Sequence, residues 1–163
     1  RQGTDFTSYK TYAFVAQPGT DRDGYTTILT SHFKAAVQSE MQARGFRLAD
    51  SDPDLQVNFF SNVENRSDTR SMPNMSFGYY QYRGGISIGF PISSATVETR
   101  NYKVGTINID IIDARRKELV WEGVLEGALS RKAMENPAGA VQSAVSQIFS
   151  RFPIAKPVST PAQ

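Results

Sequence analysis

The stretch from Gly105 to Gly123, GTINIDIIDARRKELVWEG, restricts the fold more than any other part of the sequence. Three isoleucines alternate with polar residues in its first half, which is the pattern of a strand with one buried face. The segment from Asp113 to Arg116 then favours a turn, because an aspartate at the first turn position accepts hydrogen bonds from the backbone just beyond it. A second strand is expected to follow, with one apolar face formed by Leu119, Trp121, Leu125 and Leu129.

A strand, a helix and another strand are expected earlier in the chain. Residues 9–15 and 55–63 are rich in aromatic and β-branched side chains, which favours strands. Between them, residues 27–44 carry an apolar stripe at helical spacing, and Gly45 is placed to end the helix in a left-handed conformation, with Phe46 beside the last turn. This order predicts a right-handed crossover that makes the two strands parallel.

A second helix is predicted near the carboxyl end. Asn136 and Pro137 form a typical helix start, an apolar stripe extends from Val141 to Phe152, and Pro153 ends the pattern. The whole chain therefore predicts an α+β fold with a mostly antiparallel sheet, one β-α-β crossover and two amphipathic helices on one face. With 163 residues, we expect a single domain over residues 1–153, a variable Gly- and Tyr-rich excursion over about 64–103, and a Pro-rich flexible tail over 154–163.

The two aspartates of the opening stretch are candidates for an acidic active site. Asp110 and Asp113 are three residues apart, so on one strand they lie on opposite faces and do not converge on one metal ion or one scissile bond. Asp113 also occupies the first position of the expected turn. We interpret both carboxylates as structural.

Composition argues against several function classes. The chain has no cysteine, a single histidine (His32) and a net charge of +2, which gives no basis for thiol catalysis, a His-rich metal site or nucleic-acid binding. Its Gly-rich segments do not match a phosphate-binding loop. We therefore expect no catalytic residues, no metal ion, no cofactor and no nucleic-acid partner.

One aromatic cluster stands out within the excursion, around a predicted hairpin turn at Gly84 and Gly85. Its rings either pack against the sheet as part of the core or form a contact surface for a protein, glycan or lipid-interface partner, for which tyrosine is well suited. The candidate contact residues are Phe77, Tyr79, Tyr80, Tyr82, Arg83 and Phe90.

Four segments in this order resemble a known family: DFTSYKTYAF, DPDLQVNF, the opening stretch, and the helix that ends in RFP. Together they are similar to the bacterial envelope-lipoprotein domain called domain of unknown function 4136, over about residues 5–153. The sequence has Arg116 where a small turn residue is common in the family. The residues that carry the resemblance are Asp5, Phe6, Tyr9, Thr11, Tyr12, Phe14, Pro53, Asp54, Leu55, Gly105, Thr106, Asp110, Asp113, Leu119, Trp121, Gly123, Phe152 and Pro153.

The resemblance implies a periplasmic location in a Gram-negative bacterium, with a lipid anchor on a cysteine outside this chain. It implies no catalytic residues. The leading hypothesis is a non-enzymatic domain that binds or supports an envelope protein or surface. The alternatives are a small-ligand carrier with a cleft between sheet and helices and, third, an uncharacterised enzyme.

Overall fold

Five strands form one sheet in the computed structural model, which describes residues 4–22, 24, 26–81 and 87–157, and the side chains of these residues except 71–96. The strands follow the spatial order β2-β1-β3-β4-β5. Their bounds are Thr11–Phe14 (β1), Arg47–Leu48 (β2), Leu55–Gln81 (β3), Ser87–Asp113 (β4) and Glu118–Ala128 (β5).

The pairing of the strands confirms the predicted fold class. β1 is parallel to β3, with Tyr12 opposite Leu55, and it is also parallel to the two-residue strand β2, which the sequence did not predict. β4 and β5 are antiparallel over a longer stretch, from Val104 opposite Ala128 to Asp113 opposite Glu118. By paired length, the sheet is therefore mostly antiparallel.

The helix between β1 and β2, α1, spans Ile28–Gln42, close to the predicted range. The Thr27 hydroxyl accepts a hydrogen bond from the Thr30 amide at 3.1 Å and caps its first turn. At the other end, the Phe46 amide donates to the Met41 carbonyl at 3.1 Å, and Gly45 has a φ of 87°. This is the predicted Schellman ending, which needs a left-handed residue.

Two helices follow β5. The short helix α2 spans Arg131–Glu135 and was not predicted, whereas α3 spans Pro137–Phe149 as expected. The Asn136 side chain accepts a hydrogen bond from the Gly139 amide at 3.1 Å, and Pro137 occupies the first helical position, where a missing amide hydrogen costs nothing.

The core lies between one face of the sheet and the helices α1 and α3. The rings of Phe33 on α1 and Phe59 on β3 stack at 5.1 Å, and Trp121 on β5 packs against Phe149 at 5.6 Å and Phe152 at 5.0 Å. The expected core position of Trp121 is thus confirmed, although the indole is only half-buried. Gly123 lies directly under Ile148, where a Cβ atom would collide with that side chain.

One predicted strand face is wrong. The register of β4 and β5 shifts so that Ile111 is opposite Trp121 but Ile112 is opposite Leu119, which leaves Val120 as an extra residue. A bulge of this kind reverses the alternation on one side of it. Leu119 therefore lies on the other face and is 47% exposed, whereas Val120 is 1% exposed and belongs to the core.

The chain forms two compact units, the core unit of residues Arg1–Glu64 with Val104–Gln163 and a second unit of Asn65–Lys103. The second unit covers most of the range for which the sequence predicts an excursion. In the carboxyl-terminal segment, the carbonyl of Ile154 accepts a hydrogen bond from Arg44 at 2.8 Å. The predicted flexible tail of residues 154–163 is described only as far as residue 157, and residues 158–163 lie outside the described residues.

Candidate binding surface

The predicted aromatic contact surface belongs to the second unit. Phe77, Tyr79 and Tyr80 are part of strand β3 and Phe90 is part of β4, but their side chains lie outside the described ones. Tyr82 and Arg83 lie outside the described residues, as does the predicted turn at Gly84 and Gly85. This surface stays a prediction.

The described part of the same unit is a ribbon of two strands. The pairing of β1 with β3 ends at Val57, and that of β5 with β4 ends at Val104. Beyond these points, residues 64–70 of β3 and 97–103 of β4 are all exposed. A two-stranded ribbon has little stability of its own in water. We name residues 65–81 and 87–103 the ribbon.

The β3 side of the ribbon carries charges of alternating sign. Glu64, Arg66, Asp68 and Arg70 are separated by two residues each, so they lie on one face of the strand. The Arg70 Nε atom is 3.7 Å from the Asp68 carboxylate, with side chains 76% and 55% exposed. Because exposed ion pairs contribute little to stability, these residues form a solvated surface rather than a support for the fold.

An open concavity of about 460 Å³ lies on the ribbon. Its lining residues are three consecutive ones of β3 and three of β4, so neighbouring side chains alternate between the two faces of the ribbon. The ring of Tyr102 is partly exposed. These residues were not singled out from the sequence, since isolated polar residues on an exposed strand give no signal there. They are Asn65, Arg66, Ser67, Asn101, Tyr102 and Lys103.

Asp113 has a structural role, as its sequence position predicts. Its carboxylate accepts hydrogen bonds from the Arg116 amide at 2.8 Å, the Arg115 amide at 3.0 Å, and the Tyr9 hydroxyl and Arg116 Nε at 2.9 Å each. These bonds, with the Arg116 amide foremost, hold the pKa of Asp113 at about 2 despite its burial. The left-handed turn residue is Lys117, with a φ of 57°, so Arg116 keeps an ordinary conformation.

Asp110 lies on the opposite face, as predicted, and does not meet Asp113. Ile109, Ile111 and Asp113 are buried, whereas Asp110 between them is half-buried on the other side of β4. It is directly opposite Glu122 of β5. Burial, and then the charge of Glu122, raise the pKa of Asp110.

Asp54, just before β3, forms hydrogen bonds with the start of β1. Its carboxylate accepts hydrogen bonds from the Lys10 amide at 2.8 Å and the Thr11 amide at 3.0 Å. The bond from Lys10 is the main cause of a lowered pKa of Asp54, with those from Thr11 adding to it. This carboxylate therefore also supports the backbone.

One buried charge cluster was missed by the sequence analysis. Glu40 on α1 is 1% exposed, and its carboxylate accepts hydrogen bonds from Arg44 at 2.6 Å and Lys156 at 2.8 Å. Arg44 also donates to the Phe149 carbonyl at 2.8 Å. Burial raises the pKa of Glu40, but the hydrogen bonds from Lys156 and Arg44 outweigh it, so the pKa is lowered. The cluster joins α1 to the end of α3 and the segment after it.

Other candidate groups stay apart from one another. His32 is half-buried on α1. Among the residues that the structure describes, no group of three or more His, Cys, Asp or Glu side chains is arranged to hold a metal ion. In the same residues, none of the helices has the length and apolarity needed to cross a membrane.

The chain belongs to the family called domain of unknown function (DUF4136), whose model matches residues 1–154. The resemblance seen in the sequence is thereby confirmed. No curated protein matches the chain.

The chain is similar to several solved structures. A PDZ domain protein from Parabacteroides distasonis matches with a TM-score of 0.59 and 17% identity over 95% of this chain, which corresponds to only 34% of that protein. PelC from Paraburkholderia phytofirmans, described as a dodecamer, matches with a TM-score of 0.48 and 12% identity, over 87% of this chain and 84% of that one. A minor lipoprotein from Acinetobacter baumannii matches with a TM-score of 0.43 and 8% identity, over 88% of this chain and 92% of that one.

Proposed function

We propose that this chain, as a member of the DUF4136 family, is a non-enzymatic domain of a bacterial envelope lipoprotein that binds or supports a partner. Its place is the periplasmic side of a membrane, to which a lipid anchor outside this chain attaches it. The sequence resemblance supports the location. The ribbon supports the binding role.

The ribbon is the single observation that carries the proposal. Its described residues 65–70 and 97–103 are exposed on two strands that continue out of the core unit. In sequence, the intervening residues 71–96 contain only one charged residue, Arg83, and five aromatic ones. A long two-stranded ribbon that is poor in charge is costly to keep in water, whereas aromatic residues are enriched at protein interfaces. Binding a partner gives such a segment a stabilising environment.

The interior of the core unit supports binding at a surface rather than in a cleft. Tyr12, Phe33 and Phe59 are each 0% exposed, and they fill the space between the sheet and α1. A small-ligand carrier would need that space for its ligand. The hypothesis of a cleft between sheet and helices is therefore the less favoured one.

The test uses the full-length lipoprotein in native envelopes. The variant Tyr79→Ser/Tyr80→Ser/Tyr82→Ser is compared with the wild type by thermal melting and by crosslinking followed by identification of captured partners. We expect nearly unchanged melting and a lost partner, because interface energy concentrates in aromatic anchors.

A matched control removes exposed apolar side chains from the core unit instead. Leu48, Leu119 and Val124 are 43%, 47% and 43% exposed, and their replacement by serine should leave the capture intact. If the tyrosine variant unfolds, the rings belong to a core. If it folds and still captures the same partner, the ribbon is not the contact surface. Either result contradicts the proposal.

A further inference from the structure

We propose that the outer edge of β5 binds an extended protein segment in which cationic and apolar side chains alternate. β5 is the last strand of the sheet, and the bound segment pairs with it as an added strand. The proposed function does not use this edge, because β5 belongs to the core unit and the ribbon to the second unit.

The outer edge of β5 is long and has backbone groups to offer. The strand has 11 residues and pairs with β4 on one side only. In an antiparallel pair, every second residue directs its amide and carbonyl away from its neighbour. Within the described part of the chain, no further backbone hydrogen bond engages residues 121–125. The opposite edge of the sheet, β2, has two residues and is too short for such pairing.

The elements that follow β5 cover one of its faces and not its edge. Ile148 of α3 lies over Gly123, on the same face of the sheet as the buried core. Leu129, directly after β5, lies over Gly105 of β4, within 3.2 Å of where a Cβ atom would be. The chain therefore turns back over the sheet after β5, among the residues that the structure describes.

The edge has few of the features that usually prevent strand addition. Residues 118–128 contain no lysine and no proline, two residues that commonly protect an edge strand. The bulge at Val120 disturbs one end, but the register with β4 is regular from Trp121 to Ala128. This regular part exceeds a typical strand of about 5–6 residues.

The face of β5 that points away from the helices is acidic. Glu122, Val124 and Glu126 alternate on this face and are all exposed. Glu122 accepts a hydrogen bond from Asn108 at 3.5 Å, and Glu126 also interacts within the chain, but a carboxylate has about four acceptor positions. Asp110 of β4, directly opposite Glu122, adds a third carboxylate one strand further in. Cationic side chains of an added strand would therefore be stabilised on this face.

The other face of β5 is apolar at the edge. Trp121 and Leu125 are half-buried there and pack against the core, with the buried Gly123 between them. An added strand directs every second side chain to this face, where apolar ones extend the apolar layer. The two faces together require cationic and apolar residues in alternation.

A second copy of β5 does not meet this requirement. In an antiparallel pairing centred on Val124, Glu122 of one chain would lie directly opposite Glu126 of the other. Like charges directly opposite each other on two strands are destabilising. The acidic face therefore disfavours pairing between copies and favours a cationic segment.

The test is titration of the intact chain with an octapeptide of alternating lysine and valine. The fluorescence of Trp121, the only tryptophan, reports binding at the strand. We expect saturable binding and slower amide hydrogen exchange within residues 121–128. Glu122→Gln should weaken binding about fivefold, the scale of one exposed ion pair.

Control peptides separate strand pairing from charge attraction. An isomer with all lysines before all valines keeps the charge without the alternation. A second peptide keeps the alternation but carries N-methyl groups on two adjacent central amides, which blocks both of its edges. Each should bind about tenfold more weakly or not at all. Binding of either as tight as that of the first peptide would overturn the proposal.

Two carboxylates away from the edge serve as matched controls. Asp110 is roughly 10 Å from the added strand, at about 4.8 Å per strand, and Glu135 is exposed on α2. Asp110→Asn and Glu135→Gln should leave the affinity unchanged. Losses equal to that of Glu122→Gln would show a general charge effect and overturn the proposal. So would a lack of binding, or slower exchange only outside β5.

Failure here is distinguishable from failure of the proposed function. If the alternating peptide does not bind while the tyrosine variant loses its partner in native envelopes, strand addition is wrong and the proposed function stands. If the chain forms a dimer whose β5 amides are protected without peptide, a second copy occupies the edge, and the proposed cationic segment is wrong.

Discussion

Replacing Asp113 with asparagine should destabilise the fold in a pH-dependent way. The carboxylate accepts four hydrogen bonds, from Tyr9, Arg115 and twice from Arg116. An asparagine side chain keeps one acceptor oxygen and brings an NH₂ group against the remaining donors. The turn between β4 and β5 and its link to Tyr9 therefore lose support in Asp113→Asn.

The magnitude follows from the pKa of Asp113. The gap between the ordinary 3.8 and about 2 corresponds to about 2.4 kcal/mol, at about 1.36 kcal/mol per pKa unit. The side chain of Arg116 is 56% exposed, so solvent screens part of this interaction. We expect a loss of about 1–2 kcal/mol in the free energy of unfolding at neutral pH.

The sign of the pH dependence is fixed by the lowered pKa. A carboxyl whose folded pKa lies below its unfolded value stabilises the fold fully above the unfolded pKa, and this contribution is lost as the pH falls toward the folded one. The difference between wild type and Asp113→Asn should therefore be constant down to about pH 5 and should shrink between about pH 4 and pH 2. Urea denaturation at a series of pH values measures it.

Asp110→Asn is the matched control, because the same chemical change is made three residues away in the same strand. Its raised pKa means that the charged form is disfavoured in the folded state, so the substitution should not lower stability at neutral pH. Neither substitution should change ligand binding. A pH-independent loss in Asp113→Asn, or an equal loss in both variants, would refute the argument.

Three further substitutions test the core by the same measurement of unfolding free energy. Trp121→Ala should cost about 2–4 kcal/mol, since the half-buried indole packs on Phe149 and Phe152, and a loss under about 1 kcal/mol would mean that these contacts carry little energy. Tyr12→Phe should be neutral or stabilising by up to about 1 kcal/mol, because the buried Tyr12 hydroxyl has no hydrogen-bond partner among the described residues. A clear loss of unfolding free energy would show that the hydroxyl does have a partner. Glu40→Ala should cost about 3 kcal/mol, because the buried Arg44 loses the carboxylate that balances its charge. Lys156→Ala should cost under about 1 kcal/mol, because the Lys156 side chain is 45% exposed. Equal losses would contradict the buried pairing of Glu40 with Arg44.

Local signals predicted the helices well. Asn136 with Pro137 set the start of α3, and Gly45 set the end of α1, because each of these residues satisfies a backbone requirement that few others meet. The parallel pairing of β1 with β3 followed from the order of elements. The two-residue strand β2 is too short to show a period, and so it escaped prediction.

Features that depend on distant residues were not predictable. The bulge at Val120 arises from pairing with β4, while alternation along β5 alone assumes that no residue is inserted. Glu40 and Arg44 are four residues apart, which usually indicates a solvated helix pair. Glu40 also accepts a hydrogen bond from Lys156, which is 116 residues further along the chain, so no local pattern indicates this contact.

The sequence indicates a candidate contact surface in the second unit, and that surface stays a prediction. The signal in the sequence comes from residues 71–96, which are poor in charge and rich in glycine and tyrosine. The concavity combines residues such as Asn65 and Lys103 that lie far apart in sequence, so it becomes visible only when β3 and β4 are seen side by side. The full length of β3 and β4 was not predicted either, since glycine and proline are depleted in strands.

The carboxylates also indicate where binding is to be sought. Asp54, Asp113 and Glu40 all have lowered pKa values, so they are ionised at neutral pH and poorly matched to general acid or base work, which favours a pKa near the working pH. Their oxygens are engaged by backbone amides and cations that hold the strands and helices in place. In the ribbon, by contrast, the described side chains of residues 65–70 and 97–103 are all exposed. Polar groups that hold the fold lie in the core unit, whereas the described side chains of the ribbon are exposed, which is why the proposed function assigns binding to the ribbon.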